Sequence, residues 1–173
     1  MNSWITSDHH FGHANIIQYC KRPFKDVYHM NETMIEYWNA VVRPDDVVYY
    51  LGDFTLNSRA EQYVERLNGT IHFMPGSHDN WMKKDISRHE GDMWSKHSFL
   101  PPLYEIKYNG VYITMCHYAM RTWPRSHHGS LHVYGHSHGM LPGVGRSMDV
   151  GVDTNSFYPY RMEDVIKKLT LDM

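Results

Sequence analysis

Asp46–Leu51 (DVVYYL) is a short run rich in β-branched and aromatic residues, fenced by Pro44 on one side and Gly52 on the other. A run that short between two breakers reads as a central strand buried on both faces, and such a strand needs a layer packed on each side of it. The rest of the chain supplies the layers. Ser3–Ser7, with Trp4 and Ile5, is β-prone; Thr70–Met74 is a strand cut off by Pro75-Gly76; Leu103–Tyr108 and Val111–Cys116 flank Asn109-Gly110 as a hairpin; Leu131–Tyr134 and Ser147–Val152 are two more short strands. Helical spacing occupies Ala14–Tyr19, Asn31–Val42, Ser58–Leu67 with its stop at Asn68-Gly69, and Met162–Leu169. In the second of these Met34, Tyr37, Trp38 and Val41 recur at i, i+3, i+4 and i+7, and Asn31 is the N-cap candidate. Lys83–His97 is polar without a clean period and reads as an irregular excursion, and Trp123–Ser130 reads as a polar loop. The pattern is α/β, in one domain spanning residues 1–173.

A chain of 173 residues removes about 70% of its unfolded surface from water and needs no staples to hold a core. The net charge of −2 argues against extended nucleic acid as a partner, which requires a basic excess, and leaves room for a small phosphate-bearing ligand. Cys20 and Cys116 are too few for a disulfide framework, so a reducing, cytoplasmic setting is expected. No uncharged apolar run approaches 18 residues and the N-terminus has no signal-peptide pattern, so no membrane association is expected.

Fourteen histidines require an explanation. Several stand, with aspartates, immediately past the expected strands: Asp8 and His10 after the first, Asp53 after Gly52, His78-Asp79 after Pro75-Gly76, His117 at the end of Val111–Cys116, and His136 and His138 after Gly135. Residues two apart in extended chain project to one side, so Asp8 with His10, or His136 with His138, can meet one cation. Taken singly, each is as compatible with a turn residue or a surface loop. Taken together, polar groups that collect where buried strands end converge in space, because that crevice is where α/β folds assemble sites.

These motifs resemble the calcineurin-like metallophosphoesterases, whose signature of Asp-x-His, Gly-Asp, Gly-Asn-His-Asp/Glu, a lone His and Gly-His-x-His corresponds here to Asp8-His9-His10, Gly52-Asp53, Gly76-Ser77-His78-Asp79, His117 and Gly135-His136-Ser137-His138. Met148–Asp153 (MDVGVD) is similar to the Asn-Val-Gly-Val-Asp segment that often follows. The resemblance implies a two-sheet β-sandwich flanked by helices, in four αββα layers. It also implies two divalent ions, one held by Asp8, His10, Asp53 and His138, the other by the bridging Asp53, Ser77, His117 and His136. Mixed imidazole and carboxylate ligation suits Mn, Fe, Ni or Zn. A hydroxide shared by the two ions would attack phosphorus in line with the leaving oxygen. His78 would serve the leaving group, with Asp79 orienting it and raising its pKa.

One position departs from the signature. Ser77 stands where the family has asparagine, and a hydroxyl is a poorer neutral ligand than an amide oxygen, so the second metal site is expected to be weak. The expected activity is hydrolysis of a phosphodiester or phosphomonoester, with a nucleotide-like small molecule as substrate. The alternative is a metal-binding regulatory or binding protein in which Ser77 has weakened or abolished catalysis. Beside the motifs, His13, Arg121, Trp123 and Arg125 are the candidate substrate contacts, since arginine can pair with phosphate bidentately and tryptophan can stack on a base.

Overall fold

The computed structural model describes residues 1–57, 59–83 and 93–171. Among the described residues, nine strands form two sheets. In the first, β1 (Ser3–Thr6), β2 (Val47–Tyr50), β3 (Thr70–Phe73) and β4 (Ser98–Phe99) run parallel in the order β4-β3-β2-β1, and β9 (Tyr160–Arg161) closes the far edge antiparallel to β1. In the second, β5 (Leu103–Tyr108) and β6 (Val111–Cys116) are the expected hairpin, and β7 (Leu131–Tyr134) and β8 (Ser147–Asp149) continue parallel to β6. The helices are α1 (Asn15–Tyr19), α2 (Val27–Val41), α3 (Glu61–Val64), α4 (Asn80–Lys83) and α5 (Met162–Leu171).

Period-2 alternation divides the first sheet between two cores. Val48 and Tyr50 of β2 and Ile71 and Phe73 of β3 join Ile16, Met34, Trp38, Val64 and Trp81 from α1 to α4. Ile5, Leu51 and Met74 point the other way, onto Ile113, Met115, Leu131 and Val133 of the second sheet, where α5 adds Met162, Val165 and Leu169. The result is the expected sandwich of two sheets flanked by helices. No described helix is long and apolar enough to cross a membrane.

Three boundaries differ from expectation. α2 starts four residues before Asn31: Asp26 is its N-cap, its Oδ1 accepting the His29 N–H at 2.7 Å, and Asn31 lies inside the helix with its side-chain oxygen on the Gly12 N–H. β8 stops at Asp149, and Val152–Thr154 is a 3₁₀ turn. α3 covers only part of Ser58–Leu67; Ser58, like most of the 83–97 excursion, lies outside the described residues.

His97, 8% exposed beside the edge strand β4, accepts the Ile71 N–H on Nδ1, and burial pushes its pKa from 6.5 down to about 4. Between those values the unfolded chain binds a proton that the folded chain excludes, so this residue's contribution falls as pH drops below 6.5. The stability of wild type relative to His97→Gln is expected to decline by roughly 2 kcal/mol from pH 7 to pH 5, read from denaturant midpoints. An unchanged difference would contradict a buried neutral imidazole.

Candidate metal centre

The parallel strands β1, β2, β3, β6, β7 and β8 all end toward one edge of the sandwich, and the chain turns sharply at each end. Asp8, His10, Asp53, His136 and His138 have φ of 63°, 53°, 58°, 66° and 47°, the left-handed region that costs a non-glycine residue about 1 kcal/mol or more. Five candidate ligands in that conformation show backbone held by its surroundings to aim side chains inward. The loops interlock through glycines. A Cβ on Gly76 would fall 2.3 Å from the Asp53 backbone nitrogen, and one on Gly135 would fall 2.4 Å from Asp8 Oδ2. Gly76→Ala is therefore expected to separate the Asp53 and Ser77 loops, lowering the melting temperature and weakening metal binding together; a calorimetric scan and a metal titration check both.

Asp8, Asp53, His10 and His117 are all buried. Among the described residues, Asp8 Oδ1, His10 Nε2 and His117 Nε2 have no hydrogen-bond partner. His10 Nε2 lies 3.9 Å from Asp8 Oδ1 and 3.6 Å from Asp53 Oδ2, and His117 Nε2 lies 3.4 Å from that same Asp53 oxygen. Buried polar atoms in native proteins are almost always satisfied, so two orphan imidazole nitrogens facing the Asp53 carboxylate, with the orphan Asp8 Oδ1 beside one of them, mark a place for a cation. Ligand atoms fall within 4.8 Å of one another in the groups Asp8–His10–His138, His10–Asp53–His78 and Asp53–His117–His136; a fourth group, Cys20–His138–Asp153, shares His138.

Tautomers agree with ligation. His117 Nδ1 donates to the Leu51 carbonyl at 2.7 Å, which leaves Nε2 with its lone pair free toward Asp53. His138 Nδ1 faces Asp153 Oδ2 at 2.7 Å, leaving its Nε2 for the cluster. Burial pushes His10 down to about 2, so it is neutral, and pushes the Asp8 carboxyl up to about 7. Burial also opposes ionisation of Asp53, but the charge that a protonated His117 would bring and the His78 N–H outweigh it and hold that carboxyl well below its usual range; with His117 neutral, a cation would supply that charge instead.

Around the ligands stands a buried support that sequence reasoning missed in part. The Arg22 guanidinium makes a bidentate pair with Asp153, at 2.8 and 2.7 Å, and donates to the carbonyls of Asp8 and His9. It thus ties His138, through Asp153, to the first motif. Asp153 belongs to the MDVGVD segment, which carried a signal; Arg22 carried none.

Asp79 requires a correction. Its carboxylate accepts from the backbone N–H groups of Asp53 (2.6 Å), Gly76 (2.8 Å) and Phe54 (2.9 Å) and from Trp81 Nε1 (2.8 Å), with no bond to His78 among the described residues. It clamps the Asp53 and Ser77 loops together instead of orienting the imidazole. His78 is half-buried, donates its backbone N–H to Asp53 Oδ1 at 2.8 Å, and holds its ring 5.3 Å from that of His10. Ser77 Oγ donates to Asp53 Oδ2 at 3.0 Å, so the departing residue does sit beside the shared carboxylate. His136 is exposed, its ring 5.1 Å from that of His117. His13 lines the mouth, with ring centroids 5.4 Å from His10 and 6.0 Å from His78.

The other proposed substrate contacts separate. The Arg125 guanidinium lies over Tyr112 at 4.4 Å, and Tyr112 precedes His117 by five residues of strand, about 16 Å, which puts Arg125 toward the opposite end of β6. Trp123 donates Nε1 to the Ser130 carbonyl and packs on His132, a structural contact at the start of β7. Arg121 lines a cleft formed with the 141–147 loop.

No protein-family model matches the chain. A protein of unknown function from Aquifex aeolicus, AQ665, has a crystal structure with TM-score 0.74 at 22% identity, covering 96% of this chain and 98% of that one, and so shares the fold. A novel archaeal phosphodiesterase gives TM-score 0.45 at 17% identity over 87% of this chain and 82% of that one. The uncharacterized protein MJ1445 of Methanocaldococcus jannaschii is 32% identical over 175 residues, 95% of this chain and 89% of its own length. On that match over nearly its full length, the chain belongs to the family of MJ1445.

Proposed function

We propose that this protein is a divalent-metal-dependent phosphoesterase acting on a small phosphodiester or phosphomonoester. The observation that carries the reading is the cluster of unpartnered buried atoms, His10 Nε2 and His117 Nε2 against Asp53 and Asp8 Oδ1 against His10. Asp8, His10, Asp53 and His138 fit one cation, and Asp53, Ser77, His117 and His136 fit a second, a donor set suited to Mn, Fe, Ni or Zn. When bound, such ions would supply Lewis acidity and positive charge at the phosphoryl group. His78, half-buried at the mouth beside His10 and His13, is placed to hold a proton on its ring for the leaving oxygen. Asp79 and Arg22 keep the ligand loops in register from beneath. Hydrolysis of bis-p-nitrophenyl phosphate with added Mn²⁺, lost on chelation, tests the reading; metal binding without turnover would contradict it.

Ser77 is the observation that favours the second reading, a metal-binding protein on the same scaffold with catalysis weakened. A hydroxyl already bonded to Asp53 is a weaker ligand than an amide oxygen. Ser77→Asn is expected to raise occupancy of the second site and turnover together, each several-fold, by elemental analysis and initial rates. Two tightly held ions in wild type, unchanged by the substitution, would contradict the weak second site; added occupancy without turnover would favour the non-catalytic reading.

A further inference from the structure

Beside the metal centre, the structure holds a cleft of about 410 Å³ that the motifs do not account for. Its walls include Ala119, Met120, Tyr134, Leu141 and Val144, and Arg121 is its one charged lining residue. That volume lies within the range of small-molecule sites, as does the combination of apolar walls with a single directing polar group. The walls are fixed: the Tyr134 hydroxyl donates to the Leu141 carbonyl at 2.8 Å, and Ser147 Oγ both accepts from the Val144 N–H and donates to its carbonyl. Leu141 and Val144 nevertheless leave 50% and 76% of their surfaces exposed at the rim.

Connectivity sets the cleft next to the ligands. Ala119 is two residues past His117, Tyr134 two before His136, and Leu141 three past His138. At no more than ~3.6 Å per residue, each wall lies within roughly 7–11 Å of a candidate ligand, Cα to Cα. Tyr118, whose ring is 4.7 Å from that of His136, bridges the two regions. The exposed Arg121 forms no ion pair among the described residues.

We infer that this cleft receives an aryl- or base-like ring carried on one arm of a phosphodiester, with an acceptor on that ring facing Arg121. The inference rests on the phosphoesterase reading for the position of the phosphate and adds the chemistry of the substrate's other end. A ring between Met120, Tyr134 and Leu141 removes apolar surface from water on both sides, and the guanidinium selects rings bearing a carbonyl, nitro or carboxylate oxygen.

Binding separates this claim from turnover. Methylphosphonate, phenylphosphonate and 4-carboxyphenylphosphonate would be titrated into Zn²⁺-loaded protein, with amide shifts followed by NMR. Phenylphosphonate is expected to bind about tenfold tighter than methylphosphonate, as burial of a ring implies, shifting residues 119–121 and 141–144. The carboxylate should add a further few-fold that Arg121→Gln removes. Leu141→Asp with Val144→Asp, both at exposed side chains, should erase the ring preference while methylphosphonate affinity stays. Equal affinity for the methyl and phenyl ligands, or shifts confined to the metal ligands, would overturn the cleft's assignment. Ring preference in a protein that hydrolyses neither diester nor monoester would support the cleft and overturn the phosphoesterase reading.

Discussion

Asp53→Ala is expected to lower metal-dependent hydrolysis by at least about 10³-fold while leaving the fold in place. Four groups converge on its carboxylate: His10 Nε2 at 3.6 Å, His117 Nε2 at 3.4 Å, Ser77 Oγ at 3.0 Å and the His78 N–H at 2.8 Å all face its two oxygens. It is the one carboxylate common to both candidate ion sites, so alanine removes a ligand from each. The measurement is kcat on a diester at saturating Mn²⁺, with circular dichroism as the control for folding and a metal titration as the control for affinity. A variant that kept both ions and lost less than tenfold in rate would mean that Asp53 is a turn residue, as its place after Gly52 equally permits.

Asp79→Ala is expected to have the largest effect on stability. Its carboxylate, 1% exposed, satisfies three backbone N–H groups and an indole N–H at 2.6–2.9 Å. Alanine would orphan these donors, at about 1–3 kcal/mol for each that finds no water. Even with partial rescue by water, a loss of roughly 3 kcal/mol follows, or about 6–12 °C in melting temperature for a chain of this length. Asp79→Asn should recover only part of it, because an amide offers one acceptor oxygen and turns its NH₂ toward other donors. Burial already works against ionisation of Asp79, raising its pKa, so the four donors are what make the site tolerable for a carboxylate. If Asp79 acted through His78 instead, the variant would keep its melting temperature and change the pH profile of turnover; scanning calorimetry distinguishes the two.

The strand ends were legible because short β-prone runs meet chain-breaking residues there: Asp46–Leu51 stops at Gly52, Thr70–Met74 at Pro75-Gly76, and each stop is followed by the ligand that the structure brings to the cluster. β4 and β9, two residues each, are too short to carry a period and owe their existence to β3 and β1. The start of α2 was misplaced because Asp26 and Asn31 are both competent caps, and packing of Met30 against the sheet decides for the earlier one. Arg22 was invisible because its partner Asp153 lies 131 residues away.

Arg125 shows the opposite error, in which nearness in sequence was taken for nearness in space. β6 and β7 are parallel, so the chain leaving His117 must return along the sheet before β7 begins. Arg121, early in that return, lines the cleft, whereas Arg125, four residues later, rests on Tyr112 near the other end.

The most direct test is anomalous scattering at the manganese edge from crystals of the protein soaked in Mn²⁺. A strong peak enclosed by Asp8, His10, Asp53 and His138 is expected, with a weaker one between Asp53, His117 and His136 that strengthens in Ser77→Asn. Crystals that bound manganese only elsewhere, with the Asp8, His10 and His117 side chains still unpartnered, would contradict the metal centre and the activity proposed from it.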